Sequence, residues 1–306
     1  MSAPNEPQAR LEELIAAQER SRTWLPLARA ITLIENTPPW LLEVPDGEAP
    51  VHVLGITGPP GAGKSTLTGR LIQSFSRAGA RVAVIAIDPS SPISGGAVLG
   101  DRVRMESALE ERPDVFVRSL ASRGSVGAVA AATRNVVRLL EASGRFDVVI
   151  VETVGAGQTE VAVAGLADSV VLVTVPGLGD AVQAIKAGLM EIADLVVVNM
   201  ADRPGLHETV RHLRLTLGRD VLIRTTTATT GEGVDELRDT LTARWEELLA
   251  GDRLREERAG KQLAEAQLVA AEWIRACAAR NGAGPDTNLR TAVKELLQEA
   301  ARTWHA

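Results

Sequence analysis

Nine residues constrain this 306-residue chain more than any other stretch: Gly58-Pro-Pro-Gly-Ala-Gly-Lys-Ser-Thr66. They match G-x-x-x-x-G-K-[ST] and stand where that pattern has physical meaning, between an apolar run ending at Thr57 and a helical pattern opening at Lys64. Glycines at 58, 61 and 63 let the backbone turn until its N–H groups converge on an anion. The positive end of the following helix adds to the same site. Gly58, Pro59, Pro60, Gly61, Ala62, Gly63, Lys64, Ser65 and Thr66 are therefore candidate phosphate-binding positions. Lys64 supplies a mobile charge to the outer phosphates, and Ser65 a hydroxyl for Mg²⁺.

A loop of this kind belongs on a parallel sheet, and the surrounding pattern agrees. Apolar runs at 51–57, 81–88, 115–121, 146–153, 169–176, 195–202 and 220–228 alternate with helical stretches. Several runs are apolar on both faces, as strands covered by helices on each side are. Leu67, Leu71 and Phe75 recur every four residues, and Val126, Val129, Val136, Val137 and Leu140 form a second stripe. The expected fold is α/β: a doubly wound, mostly parallel sheet over 51–250. A helical extension and linker over 1–50 precedes it, where Pro38, Pro39, Pro45 and Pro50 interrupt regular structure. A helical arm over 251–306 follows. There Leu263, Ala266, Ala270, Trp273 and Cys277, then Leu289, Val293, Leu296 and Ala300, recur at helical spacing. Two readings fit this arm: a helical pair packed on its own domain, or a dimerisation element.

Composition removes several function classes. The net charge of −6 argues against non-specific nucleic-acid binding as the main task. The single cysteine, Cys277, excludes an internal disulfide and a cysteine-cluster metal site. No apolar run approaches the ~20 residues of a membrane span. The N-terminal MSAPNEPQARLEEL has no apolar signal core, so a cytoplasmic location is expected.

Further chemistry sits at the ends of the other strands. Asp88 ends one apolar run and Glu152 another, while Asp101 follows a glycine-rich stretch. Strand C-termini beside a phosphate loop are where ligands bind in open α/β sheets. Mg²⁺ takes one or two carboxylates and keeps waters, so not all three acids can ligate it directly. Asn199-Met-Ala-Asp202 ends the run LVVVN. It resembles the N-K-x-D element of GTPases, in which a carboxylate accepts hydrogen bonds from guanine N1–H and the exocyclic amine. Met200 stands where that element has Lys; it offers apolar cover to a purine but no charge. Thr227, Ala228 and Thr229, after the last run, are placed to support the base through backbone N–H groups. His207 and His212 are five apart and share no helix face as a zinc pair would.

Taken together, GITGPPGAGKSTL, VAVIAIDPSSP, GGAVLGDRVRM, FDVVIVETVGAGQTE, VPGLGDAVQAIKAGLMEIADLVVVNMAD and TTGEGVDEL resemble the MeaB/ArgK/MMAA family. These are P-loop GTPases of the SIMIBI class that serve as chaperones for adenosylcobalamin-dependent acyl-CoA mutases, notably methylmalonyl-CoA mutase. The resemblance implies a homodimer, GTP and GDP as ligands, and Mg²⁺ held around Ser65, Asp88, Asp101 and Glu152. It implies switch loops at 89–101, 153–160 and 176–188. In these, Gln158 would orient water, and Asp180 and Lys186 would lie in the third loop, Lys186 as a stabiliser of transition-state charge. A mutase is the implied partner, with a cobalamin adenosyltransferase as a further one. Two other readings stand beside it: a nucleotide-dependent scaffold with little hydrolysis, which Met200 suggests, and a nickel-insertion GTPase, which the absence of a His-rich or Cys-His delivery motif disfavours.

Overall fold

The computed structural model describes residues 6–89, 115–122, 126–153, 165–177, 192–217, 221–281 and 297–298. Its centre is one seven-stranded sheet. In chain order the strands are β1 (His52–Thr57), β2 (Val82–Pro89), β3 (Phe116–Ser122), β4 (Val148–Thr153), β5 (Ser169–Thr174), β6 (Leu195–Asn199) and β7 (Leu222–Thr226). The spatial order is β3-β2-β4-β1-β5-β6-β7, and every neighbouring pair is parallel. β1 is thus flanked by β4 and β5, and its C-terminal end opens at the crevice where strand order changes direction. Strands six and seven stop short of the apolar runs that announced them. A turn closed by Arg203 N–H donating to Met200 O ends β6, and Thr227 N–H donating to Glu232 O turns the chain after β7.

The described helices are α1 (Glu6–Arg20), α2 (Leu25–Asn36), α3 (Lys64–Arg77), α4 (Val126–Ala142), α5 (Leu206–Leu217), α6 (Val234–Leu249) and α7 (Arg253–Asn281). The two-residue strand period divides them between the faces. Val53, Ile85, Val149 and Val151 join α1, α2 and α4 in one buried cluster. Leu54, Ile56, Val84 and Ile150 join α3 and α6 in another. Burial on both faces is why the strands read as continuous apolar runs.

The proline-interrupted N-terminal segment is part of this core. In α2, Leu27, Ala30, Ile31 and Ile34 are buried at helical spacing, together with Leu11 and Leu14 of α1. Trp24 stacks on Phe146 at 5.3 Å and tilts against Phe116 at 5.6 Å, under the Arg145 guanidinium.

At the N-terminal ends of the strands, α7 is pinned to the sheet by charge. Arg258 donates to both carboxylate oxygens of Asp168 (2.7 and 2.8 Å), to Glu141 Oε1 (2.9 Å) and to Val51 O (2.8 Å). Asp168 is buried, and it also accepts the Val53 N–H. His52 is buried beside them, within hydrogen-bond distance of Ser169 Oγ (2.9 Å) and stacked on Trp245. Burial lowers its pKa to about 4, so it stays neutral. Farther along α7, Trp273 packs edge-on against Trp40, whereas Leu263 is 65% exposed and Ala266 and Ala270 are exposed as well. The α7 stripe read from the sequence is therefore covered at Trp273 and open before it. The second helical stripe, from Leu289 to Ala300, lies outside the described residues. No helix among the described residues is long and apolar enough to cross a membrane.

Candidate nucleotide-binding site

The phosphate loop leaves the central strand at Thr57 and enters α3 at Lys64. Two of its glycines are required by contact as well as by conformation. At Gly58 (φ +143°) a Cβ would lie 2.1 Å from Val173 O on β5. At Gly63 (φ +82°) it would lie 2.4 Å from Asn199 Nδ2. Any side chain at either position drives the loop off its neighbour. Lys64 is buried, and its ammonium folds over the loop, donating to Gly58 O (2.7 Å) and Pro59 O (3.2 Å). The charge is thus already held among the loop's own peptides.

At the second residue of α3, Ser65 Oγ donates to Glu152 Oε1 at 2.7 Å. Glu152 is fully buried, in register with Ile56 of β1 and Ala86 of β2. Hydroxyl and carboxylate oxygens side by side are the hard donor set that Mg²⁺ accepts, so these residues fit the ion. Asp88 is the last residue but one of the neighbouring strand β2, with its backbone one row beyond the Ile87–Thr153 pair. Its side chain, like Asp101, Gln158, Asp180 and Lys186 entirely, lies outside the described residues.

At the purine end, Asn199 is a buried hub. Its Nδ2 donates to Ala62 O (2.9 Å), and its Oδ1 accepts from Thr226 Oγ1 and Ala228 N, each at 3.1 Å. Three bonds join the end of β6, the end of β7 and the phosphate loop, and one Nδ2–H remains for a ligand. Asn199 thus ties these three segments together. Met200 is the one non-glycine residue with positive φ among the described residues (+55°). Its Cε comes within 3.5 Å of the Cβ position at Gly63, so the thioether packs against the phosphate loop. Asp202 is exposed just beyond this turn. Thr227, Ala228 and Thr229 follow β7, with the Thr227 and Ala228 N–H groups engaged by Glu232 O and Asn199 Oδ1.

One contributor carried no sequence signal. Arg70, on α3, donates through Nε to Ala228 O (3.0 Å) and through Nη2 to Thr229 O (2.6 Å). A helical arginine six residues after Lys64 looks like any solvated side chain until the fold brings residue 228 beside it.

A phosphate-binding loop on the central strand of an all-parallel sheet, with N-x-x-D closing a strand two places away, defines a P-loop nucleotide triphosphatase. The family model described as "Methylmalonyl Co-A mutase-associated GTPase MeaB" matches residues 27–282. The chain belongs to that family and is a GTPase. A protein of Pyrococcus abyssi is 48% identical over 245 residues, 76% of this chain and 75% of that one. The mouse "Methylmalonic aciduria type A homolog, mitochondrial" is 35% identical over 261 residues, 76% of this chain and 62% of its own length. Among solved structures, one described as an LAO/AO transport system kinase aligns with a TM-score of 0.63 at 28% identity, covering 97% of this chain and 99% of that one.

Proposed function

We propose that this chain is a Mg²⁺-dependent GTPase that couples GTP binding and hydrolysis to cofactor loading or protection of an adenosylcobalamin-dependent acyl-CoA mutase, of the methylmalonyl-CoA mutase type. The observation that carries the reading is the match over 27–282 to a family described by its association with that mutase. The mouse relative's name points to the same metabolism.

In this reading residues 58–66 wrap the phosphates, with Lys64 turning from the Gly58 and Pro59 carbonyls toward the outer phosphate oxygens. Ser65 and Glu152 hold the ion, together with Asp88 and Asp101 on the loop that follows β2. When bound, Mg²⁺ neutralises charge developing on the phosphate oxygens. Asp202 accepts from guanine N1–H and the exocyclic amine, Met200 covers one purine face, and the 227–229 loop flanks the base. Gln158 orients the attacking water. Asp180 and Lys186 complete the site from the 176–188 loop once the mutase holds it, with Lys186 beside the developing charge. A cation supplied this way is worth roughly 10³–10⁵ in rate in the best-known GTPases. The working molecule is a cytoplasmic homodimer joined partly through α7, whose exposed Leu263 marks the open part of that helix. A cobalamin adenosyltransferase is a further partner.

The test is single-turnover GTP hydrolysis with and without methylmalonyl-CoA mutase, for the unmodified protein and Lys186→Ala. Slow hydrolysis alone, acceleration by the mutase and loss of that acceleration in the variant are expected. Acceleration of neither protein removes the mutase from the proposal. Met200 favours one alternative, a nucleotide-dependent scaffold with little turnover; it predicts nucleotide-dependent capture of the mutase without phosphate release.

A further inference from the structure

Two loops of the proposed purine site meet α3, and each is held differently. The β6 end is tied by Asn199, whose Nδ2 reaches Ala62 O. Its neighbour Met200 adds an apolar contact near Gly63 and no charge. On the other side, loop 227–229 carries a charged tie, since the Arg70 guanidinium meets the consecutive carbonyls of Ala228 and Thr229 at 3.0 and 2.6 Å. Its third arm, Nη1, rests on Gln73 Oε1 at 3.3 Å, one turn along the same helix. The guanidinium is therefore oriented from its own helix before it meets the loop. Fork geometry matters here: two N–H groups in one plane match two successive carbonyls, which a point charge cannot do.

The loop's other supports are neutral: Asn199 Oδ1 holds the Ala228 N–H, and the Thr227 N–H donates to Glu232 O. The Thr229 carbonyl is thus held by a cation on the very helix whose N-terminus closes the phosphate loop. We propose that Arg70 is a positioning residue for guanine nucleotides: it fixes loop 227–229 relative to α3, so that the purine and phosphate ends of the site keep one spacing. The proposal rests on the assignment of 58–66 and 199–229 as the nucleotide site. It separates two contributions to base recognition. Asp202 reads the guanine exocyclic amine, which inosine lacks. Arg70 sets the position of a loop that flanks either base, and so acts on both nucleotides equally.

The experiment compares GDP and IDP affinities of the unmodified protein, Arg70→Met and Arg70→Lys, together with kcat at saturating GTP and the thermal midpoint. Met keeps the aliphatic packing and loses the fork. Losing two charge-assisted hydrogen bonds on a partly exposed loop should weaken both nucleotides about 10-fold in Arg70→Met, leaving the GDP:IDP ratio, kcat and midpoint near those of the unmodified protein. Arg70→Lys should recover part of the loss, since it can meet a single carbonyl. Unchanged GDP affinity in Arg70→Met overturns the proposal, and so does a loss confined to GDP or to kcat. If the unmodified protein itself binds GDP no better than ADP, the site assignment fails and Arg70 is not the cause.

Discussion

The two ends of the sheet use polar groups in opposite ways. At the N-terminal ends, charges neutralise one another inside the protein: Arg258 spans Asp168, Glu141 and Val51 O. At the C-terminal ends, charged groups also meet uncharged donors and acceptors. Lys64 leans on two backbone carbonyls, Ser65 on one carboxylate oxygen, and Asp202 stands exposed. A buried ion pair left whole adds little net stability, but breaking it strands a charge. A cation resting on carbonyls can change partners at small cost. One end of the sheet is thus built to stay closed, and the other carries the loop and the oxygen donors of the proposed nucleotide site.

If that contrast is real, damage at the two ends should separate stability from binding. The largest effect is expected from Arg258→Ala, which leaves the buried Asp168 and the partly buried Glu141 without the guanidinium that pairs with both. About 3–5 kcal/mol of stability should be lost, read by urea unfolding, with nucleotide affinity little changed in the fraction that folds. Lys64→Ala should do the reverse. Its nucleotide affinity should fall by about 2–5 kcal/mol, read by titration calorimetry, while the thermal midpoint stays near that of the unmodified protein. Equal loss of stability in both variants would erase the distinction.

His52 sharpens the comparison through pH. Its folded pKa of about 4 lies below the unfolded value of 6.5 because burial disfavours the charged ring. Between those values the unfolded chain binds a proton that the folded one does not, so stability is full above pH 6.5 and falls as pH drops toward 4. The loss approaches about 3 kcal/mol across that window. Unfolding free energies at pH 7.5 and 4.5 for the unmodified protein and His52→Gln measure it, and the variant should show the smaller difference.

The smallest effect concerns Asp202→Asn, at the open end. Guanine preference over inosine should shrink by about 1–3 kcal/mol with no change in unfolding free energy. Retention of the full GDP:IDP ratio would show that another group reads the amine.

Much of the open end was legible because its chemistry is encoded over short distances. Gly58 to Thr66, the strand before them and the helix after them are contiguous, and so is Asn199 to Asp202. Even there the reasons were only half visible. Gly58 and Gly63 looked like turn formers, and so they are, but Val173 O and Asn199 Nδ2 also exclude a side chain. Asn199 stood out only as the first letter of a guanine-binding pattern, yet its hydrogen bonds tie three segments of the protein together. The closed end left no comparable trace. His52, Asp168 and Arg258 are separated by more than a hundred and by ninety residues, and no local period or spacing connects them.

By itself, then, the sequence determined what depends on neighbours along the chain. That covers the parallel α/β pattern from two-faced apolar runs, the phosphate loop from its strand–turn–helix context, and the N-x-x-D strand end. Tertiary structure decided what depends on neighbours in space. It merged the proline-interrupted α1 and α2 into the core through Trp24, Phe116 and Phe146. It also pinned α7 with one arginine, and set Arg70 against a loop 158 residues away. The physical reason is range: backbone conformation and hydrophobic period act over a few residues, whereas hydrogen bonds and ion pairs act wherever folding brings their atoms within about 3 Å.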